Sequence, residues 1–439
     1  MISLGGVIGA GLFVGSGAAI LSAGPAVIFS YAIAGLVALL IMRMLGEMAV
    51  ADPGRGSFVE YIRLALGPGA GFVSGWLYWY FWVVVVAVET IAATQIIREL
   101  IPVPVWLIHL VLVGAMTATN LLSVKTYGEF EFWFASIKVA AIVAFGLLCI
   151  SFIAGVGGSS IAAFDNLTAF GGFMPHGAAA VLAAVPVVLF AVTGAEVAAV
   201  AAAESDDPAH NVARAARSMV LRILALYVSS VFLIVCVLPW NTLIAGESPF
   251  VAVMNAMRIP AAAPMMAFIV LTAVLSCLNS GLYVGSRVLF ELAGHGDAPR
   301  WLAHLGARNV PSRAILAGAL IGFLLATVPA ISPGRVFTFL INASGTLVLF
   351  IYVAIAASQI VLRWKAETQP QRTLTFKMWL FPYLSYLTIS AIGLIIAAMA
   401  FMADQRYQLV ASAGSLVFVV TVYLVRRAQL RSSIICEEN

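Results

Sequence analysis

Three charged residues, Glu89, Lys138 and Glu196, stand inside long apolar stretches of this chain. A charge within a lipid bilayer is costly, so each of these residues is a functional candidate by default. A desolvated carboxyl or ammonium group can exchange a proton or hold the opposite charge of a substrate. The chemistry to expect at these positions is therefore ion recognition and proton exchange.

Each of the three residues also has a structural interpretation. Lys138 lies about eight residues, or ~12 Å, inside its stretch, where it either snorkels to the surface or remains a buried, switchable positive charge. Glu131 lies seven residues before it on the same helical face. Glu196 is either a structural carboxylate bonded to freed backbone N–H groups or a gate or substrate contact. Glu89 is close to the outer interface, and its sequence context does not separate the two uses.

Two of the apolar stretches are interrupted near their middles. Residues 5–11 contain four glycines, each costing up to ~1 kcal/mol in a continuous helix. The second interruption has Pro186 upstream, Gly194 at its centre and Glu196 beside it. Unwound backbone is tolerated in a membrane only where protein or a water-filled cavity surrounds it. Its freed N–H groups can bind anions and its freed C=O groups cations, although close helix packing also explains the glycines.

The composition places these stretches in a membrane. Of 439 residues, 63% are hydrophobic and 10% are charged, and the mean hydropathy is +1.06. Soluble domains contain ~25% charged residues. The composition therefore disfavours a soluble enzyme, a nucleic-acid-binding protein and a disordered chain.

Twelve apolar runs are long enough to be spanning helices, which need ~20 residues. Their approximate limits are 1–22, 25–49, 71–97, 104–122, 130–154, 179–203, 215–239, 264–292, 314–330, 336–362, 379–402 and 408–425. Almost no sequence remains for a soluble domain. The predicted fold is therefore an all-α membrane protein with twelve transmembrane helices in a single transport domain, 1–439.

Charge placement orients this bundle. With twelve helices both termini lie on one side, and 18 of the 23 Lys and Arg residues fall on that side, against four on the other. The positive-inside rule then predicts cytoplasmic termini.

The layout also indicates an internal repeat. Corresponding features of the two halves lie 184 to 193 residues apart, which predicts two repeats of five helices, the second inverted. Residues 1–155 form the first repeat, residues 179–362 the second, and residues 379–427 two extra helices. Inverted repeats with paired broken helices are typical of secondary transporters.

The remaining residue types give local predictions. Four cysteines and five isolated histidines show neither a disulfide framework nor metal-ligand spacing, so no metal and no cofactor is expected. Arg43 and Glu47, four residues apart, are expected to form a local ion pair. The dense aromatic run 76–82 predicts bulky packing, an interfacial belt or ligand stacking.

Six motifs carry a family resemblance: GVIGAGLF (6–13), MRMLGEM (42–48), GEFEFWFASIK (128–138), AESDDP (203–208), SCLNS (276–280) and GDAP (296–299). Together they resemble the amino acid–polyamine–organocation (APC) superfamily, specifically its bacterial amino acid transporter branch. The resemblance runs along nearly the whole chain and is closest to the 4-aminobutyrate (GABA) permeases. Phenylalanine and proline permeases share most of these motifs.

The resemblance implies a leucine-transporter-like fold of 5+5 inverted repeats, proton symport and a set of site residues. The implied substrate-binding residues are Ile8, Gly9, Ala10, Gly11, Phe190, Ala191, Thr193, Gly194, Glu196, Asn279 and Ser280. In such proteins the backbone of the first group receives the substrate carboxylate, and Phe190 resembles an aromatic gate. The implied proton-coupling residues are Lys138, which matches a lysine at the sodium position of sodium-coupled relatives, and Glu196.

We therefore expect a bacterial cytoplasmic-membrane protein that imports a zwitterionic amino acid, with GABA as the first candidate, together with a proton. Its expected partners are the amino acid, the proton and the lipid bilayer, with no nucleic acid; the oligomeric state does not follow from the sequence. The alternatives are a proton-independent exchanger or facilitator and an amino acid sensor that does not transport. A membrane enzyme is disfavoured, because no set of nucleophile, base and orienting residue can be assembled.

The front of the chain departs from the family pattern. Members usually carry a charged tail and another half helix before the glycine motif, whereas here only about eight residues, or ~12 Å of helix, precede the interruption. We expect either that the protein starts further upstream or that it lacks part of its inner gate and transports poorly.

Overall fold

The computed structural model describes nine stretches of the chain. They are residues 7–55, 57–122, 124–155, 164–194, 196, 208–306, 309–327, 333–368 and 374–437. Within these stretches the regular structure is entirely helical.

Sixteen α-helices are present in the described residues, numbered here in chain order. They are α1 (Ala10–Phe13), α2 (Gly15–Ala23), α3 (Val27–Ala51), α4 (Phe58–Leu66), α5 (Pro68–Leu100), α6 (Val105–Leu122), α7 (Val124–Ile153), α8 (Gly177–Ala183), α9 (Val185–Val192), α10 (Pro208–Val237), α11 (Pro249–Ala256), α12 (Ala262–Gly294), α13 (Ser312–Thr327), α14 (Pro333–Glu367), α15 (Tyr383–Phe401) and α16 (Ala403–Glu437).

Eight helical stretches among the described residues are long and apolar enough to cross a membrane. They are Gly15–Ala51, Pro68–Glu99, Val105–Leu122, Glu131–Ile153, Ala262–Gly294, Gly334–Glu367, Tyr383–Phe401 and Gln405–Gln429. Three shorter apolar helices accompany them, at Gly177–Val192, Ala225–Val237 and Ser312–Thr327. The prediction of an all-α membrane protein is confirmed, and each of the twelve predicted apolar runs contains a helix.

Helix α5 lies at the centre of the bundle. It packs against α4, α12, α13, α14 and α16. The most apolar part of α5 is 78% buried, whereas that of α16 is only 6% buried. Side chains on α5 and its neighbour α12 are thus shielded from lipid on most sides, and α16 lies at the periphery.

Two short helices, α4 and α11, lie where the sequence predicts only connections. They have nine and eight residues, too few for the apolar-run criterion to detect. The side chain of Ser57 caps α4 by accepting a hydrogen bond from the N–H of Val59 at 3.1 Å.

The expected ion pair between Arg43 and Glu47 is not formed. Glu47 is buried and lies 3.3 Å from Nη1 of Arg363 on α14. Arg43 instead donates to the carbonyl oxygen of Lys377 at 2.6 Å, and its guanidinium lies 3.8 Å from the ring centre of Trp379. Tertiary partners therefore replace the weak local pair that helical spacing predicts.

Candidate functional site

The first interruption runs through the described residues Val7–Gly9, and helix α1 begins at Ala10. The N–H of Ala10 donates to the carboxylate of Glu89 on α5, with distances of 3.1 Å to Oε1 and 3.0 Å to Oε2. A Cβ atom at Gly9 would lie 2.5 Å from the Cβ of Cys277 on α12. A glycine is therefore required here for α12 to approach the broken backbone.

The second interruption follows α9, which ends at Val192. Thr193 is extended, and Gly194 has a φ of +106°, a backbone conformation that favours glycine. The N–H of Gly194 donates to Oε2 of Glu196 at 3.0 Å, and the hydroxyl of Tyr78 donates to Oε1 at 3.0 Å. Glu196 thus accepts a hydrogen bond from a backbone N–H group of the interruption itself.

The two interruptions touch each other. A Cβ atom at Gly11 would lie 2.7 Å from the Cα of Ala191. The hydroxyl of Tyr227 donates to the carbonyl oxygen of Ala191 at 3.0 Å. Each break is paired with its own buried carboxylate, since Glu89 is 1% and Glu196 2% exposed.

A small cavity of about 10 Å³ lies between the breaks. Its lining residues are Val7, Gly11, Phe81, Trp82, Val85, Glu89, Phe190, Ala191, Thr193 and Cys277. This volume holds about one water molecule, so an amino acid can enter only if the surrounding helices move. The described conformation is therefore closed around the site.

Lys138 is fully buried on α7, and it does not snorkel to the surface. Its Nζ donates to Oγ of Ser276 at 2.9 Å. The Ser276 hydroxyl lies 2.8 Å from Oε1 and 2.9 Å from Oε2 of Glu131, which is also fully buried. One hydroxyl therefore joins a buried ammonium and a buried carboxylate.

A single turn of α12 connects this pair to the first break. Ser276 is hydrogen-bonded to both Lys138 and Glu131. The thiol of the adjacent Cys277 hydrogen-bonds to Glu89. Ser280, one turn later, also hydrogen-bonds to Glu131. The polar groups of α5, α7 and α12 thus form one continuous buried cluster.

Asn279 faces away from the cavity. Its side-chain oxygen accepts hydrogen bonds from Nδ2 of Asn120 at 2.7 Å and from Oγ1 of Thr119 at 2.8 Å, both on α6. Among the residues expected to bind substrate, the cavity lining contains Gly11, Phe190, Ala191 and Thr193. Ser280 contacts the Glu131 side of the cluster instead.

Most of the α5 wall of the cavity was not predicted from the sequence. Phe81, Trp82 and Val85 form this wall together with Glu89. Their spacing was a usable signal, because residues four apart share a helical face. Phe81 and Trp82 belong to the aromatic run 76–82, for which bulky packing or an interfacial belt was at least as favoured as ligand stacking. Cys277, one of the four cysteines for which the sequence indicates neither a disulfide nor a metal site, also lines the cavity.

A second charged cluster lies near the start of α5, around Asp297. Its carboxylate lies 2.5 Å from Nη2 of Arg63 and 3.2 Å from Nη1 of Arg426, and its carbonyl oxygen accepts a hydrogen bond from the indole N–H of Trp76 at 3.2 Å. Burial disfavours the charged guanidinium of Arg63, but its hydrogen bonds to Asp297 and Glu60 outweigh this and raise its pKa.

The same region contains the one group of side chains, within the described stretches, that is arranged closely enough to hold a metal ion. The ligand atoms of Glu60, Glu291 and His295 lie within 4.8 Å of one another. Oε1 of Glu60 already forms an ion pair with Nε of Arg63, at a distance of 3.1 Å. We therefore interpret the group as part of the ion-pair network around Asp297.

Comparison with known proteins identifies the family of this chain. The family model for amino acid permeases matches residues 1–429. The chain is 49% identical to a gamma-aminobutyric acid permease of Bacillus subtilis (strain 168), over 97% of this chain and 92% of that protein. It is 42% identical to the gamma-aminobutyric acid permease of Escherichia coli (strain K12), over 94% of this chain and 89% of that protein.

Among solved structures, a manganese transporter of Eremococcus coleocola has a similar fold. The TM-score is 0.62 with 14% sequence identity, and the match covers 98% of this chain and 93% of that chain. At this identity the likeness concerns the fold alone. The sequence relatives are permeases rather than enzymes, as predicted. The chain therefore belongs to the amino acid permease family of the APC superfamily, whose members are multi-pass membrane transporters.

Proposed function

We propose that this protein imports a zwitterionic amino acid, with GABA as the first candidate, across the bacterial cytoplasmic membrane together with a proton. Two relatives named as gamma-aminobutyric acid permeases, at 49% and 42% identity, support this substrate class. The observation that carries the mechanism is the contact between Glu89 and the backbone N–H of Ala10.

For the architecture we propose twelve spanning helices in 5+5 inverted repeats, two additional helices and cytoplasmic termini. A helix within each predicted apolar run supports this arrangement. The matched positions of the two breaks, before Ala10 and after Val192, support the repeat. The excess of positive charge on one side, 18 Lys and Arg residues against four, supports the orientation.

In the proposed mechanism, the substrate carboxylate binds the backbone from Ile8 to Gly11. The Ala10 N–H is already occupied by Glu89, and two carboxylates repel each other at one donor. Glu89 must therefore withdraw or accept a proton when substrate binds. The substrate ammonium lies toward the freed carbonyl groups near Thr193, beside Glu196.

The proposed proton pathway uses the buried cluster. Lys138 and Glu131 share the Ser276 hydroxyl, and Cys277 on the same turn of α12 contacts Glu89. Adding a proton to Glu89 or removing one from Lys138 changes the charge of a region that cannot be solvated by water. This change favours rearrangement of the two broken helices. For Asn279 we propose a role in joining α12 to α6.

The test is uptake of labelled amino acids, GABA first, into proteoliposomes with an imposed pH gradient. We expect a gradient that is acidic outside to drive accumulation above equilibrium, and a protonophore to abolish it. Lys138→Ala should lose gradient-driven uptake but retain substrate binding. Intact gradient-driven uptake in this variant would exclude Lys138 as the coupling residue.

Two further outcomes identify the alternatives. Counterflow that ignores the pH gradient would show an exchanger or facilitator. Binding without accumulation in vesicles would show a sensor. Either result would overturn proton symport while leaving family membership intact.

A further inference from the structure

The connection between α14 and α15 lies at one surface of the membrane. The spanning part of α14 ends at Glu367 and that of α15 begins at Tyr383, so the described part of this connection, residues 374–382, is at the level of the lipid headgroups. The orientation proposed above places it on the cytoplasmic side. Side chains exposed here therefore contact lipid headgroups as well as water.

Four large apolar side chains are exposed around this connection. Trp364 and Trp379 are about half exposed, and Leu380 and Tyr383 are 75% and 77% exposed. Such a group is unfavourable in water, whereas Trp and Tyr are enriched where headgroups meet acyl chains. These four residues, named here the interfacial patch, therefore face lipid.

The connection is fastened to α3 before any lipid binds. Met378 is buried, and its N–H donates a hydrogen bond to Oε2 of the buried Glu47. The carbonyl oxygen of Lys377 accepts a hydrogen bond from Arg43, whose guanidinium also lies against the ring of Trp379. Alternation along the chain leaves Lys377 and Trp379 exposed on either side of Met378. Their positions are thus preorganised, which lowers the entropic cost of binding a ligand.

Two lysines border the interfacial patch. Lys377 is two residues before Trp379, and Lys365 follows Trp364, whose ring centre lies 6.5 Å from that of Phe381 in the connection. Both lysines are exposed. In the part of the chain that the structure describes, neither ammonium group forms an ion pair or a hydrogen bond with another residue. Two positive charges are therefore available here to a ligand.

Within the described stretches, the nearby carboxylates are paired with other groups. The sequence contains no Asp or Glu between Glu367 and Asp404. Oε1 of Glu367 lies 2.7 Å from Nε of Arg363 on the same helix, and Glu47 is buried and contacts the same arginine. The exposed surface at the connection is therefore positive, and its complement is an anion.

One kind of ligand satisfies the patch and the charges together. A soluble anion can pair with the lysines, but it leaves the interfacial patch uncovered. A zwitterionic phospholipid covers the patch, but the lysines repel the cationic group of its head. A phospholipid with a net negative headgroup has a phosphate for the lysines and glycerol and acyl carbons for the patch. Basic residues beside a membrane attract such lipids.

From these observations we infer that Lys365, Lys377 and the interfacial patch form a binding site for one anionic phospholipid, such as phosphatidylglycerol. The two ammonium groups bind the headgroup phosphate, and Trp379 and Tyr383 contact the glycerol and the first acyl carbons. The site shares no residue with the cavity between the two breaks. It depends on the proposed orientation in the membrane, but not on which amino acid the protein transports.

The test is lipid retention by the purified full-length protein, measured by native mass spectrometry with phosphatidylglycerol and phosphatidylcholine of identical acyl chains at equal concentrations. The wild type should retain phosphatidylglycerol preferentially. Lys365→Gln/Lys377→Gln should weaken this retention about twentyfold, because each basic residue near an anionic lipid contributes about fivefold. Lys365→Arg/Lys377→Arg keeps both charges and should behave as the wild type. Arg258→Gln/Arg300→Gln, which removes two exposed arginines elsewhere on the surface, is the matched control and should also retain the lipid.

A third variant and a soluble competitor separate the lipid from a free anion. Trp379→Ala leaves both lysines in place and should also reduce retention, because it removes part of the interfacial patch. Glycerol 3-phosphate has the charge without the acyl chains and should not displace the lipid; displacement would show a soluble phosphate site instead. Equal retention of the two lipids by the wild type, or unchanged phosphatidylglycerol retention by Lys365→Gln/Lys377→Gln, would overturn the site. The measurement requires no transport, so absence of uptake would overturn the proposed function and leave this inference standing.

Discussion

The guanidinium of Arg63 lies 2.5 Å from Oδ2 of Asp297, although the two residues are 234 positions apart in the sequence. Arg426 contacts the other carboxylate oxygen at 3.2 Å. One aspartate thus joins α4, the segment after α12 and the last helix. This contact holds together three elements of the bundle, and we propose that they separate when this end of the protein opens.

We predict that Asp297→Asn loosens this junction. Both ion pairs weaken, and a hydrogen bond between charged groups contributes about 1.5–3 kcal/mol, reduced here by partial exposure. The melting temperature of the purified protein should fall by a few degrees, and uptake should slow. Asp165→Asn, an exposed aspartate in a short 3₁₀ helix, is the control, and equal melting of the two variants would contradict the prediction.

Glu89→Gln should separate substrate movement from proton movement. The amide oxygen can still accept a hydrogen bond from Ala10, but the side chain no longer carries a charge or takes up a proton. We expect counterflow to persist while gradient-driven accumulation falls at least about tenfold, since a proton-transferring group typically contributes 10²–10⁴-fold. Glu367→Gln, a half-exposed residue at the end of α14, controls for loss of a carboxylate, and an unchanged response to the pH gradient would remove Glu89 from the pathway.

Stability and gradient-driven uptake should both depend on the hydroxyl of Ser276. Ser276→Ala removes the hydroxyl that Lys138 and Glu131 share, and a hydrogen bond to a charged group contributes about 1.5–3 kcal/mol. Stability and gradient-driven uptake should both fall, and Ser276→Thr should restore them. Ser286→Ala removes another buried hydroxyl of α12, which donates to the carbonyl oxygen of Tyr283, and should have a much smaller effect on uptake. Similar losses in the two alanine variants would argue against a special role for Ser276.

Gly11→Ala should block the contact between the two broken helices. The added Cβ would lie 2.7 Å from the Cα of Ala191, a backbone atom that cannot move aside independently. Uptake should be lost even where the protein still folds, as judged by size-exclusion profile. Gly393→Ala on α15 meets no atom within 4 Å and should be neutral or stabilising by up to ~1 kcal/mol; normal uptake by Gly11→Ala would show that the contact is dispensable.

Local sequence patterns predicted part of this arrangement. Glycine density before Ala10 and the Pro186–Gly194 segment located both breaks, because backbone conformation depends mainly on neighbouring residues. Long apolar runs located the helices for the same reason. Lys138 and Glu196 were singled out because a charge in an apolar helix requires a partner.

The partners themselves could not be predicted. Ala10 and Glu89 are 79 positions apart, and nothing local specifies which carboxylate reaches the first break. Asn279 is expected at the substrate by resemblance, and its hydrogen bond with Asn120 on α6 was not foreseen. Arg43 and Glu47 satisfy the helical spacing rule, yet burial of Glu47 selects Arg363 instead. Such choices depend on how helices pack, which a single sequence does not specify.

The contact between Glu89 and Ala10 has a consequence for the return half of the transport cycle. A symporter must reorient without cargo after each delivery, whereas an obligatory exchanger never does. Reorientation of an empty site is slow when it leaves a buried N–H without an acceptor. Here a carboxylate of the protein already fills the position proposed for the carboxylate of the cargo, so the unloaded protein has its own internal substitute for cargo during the return.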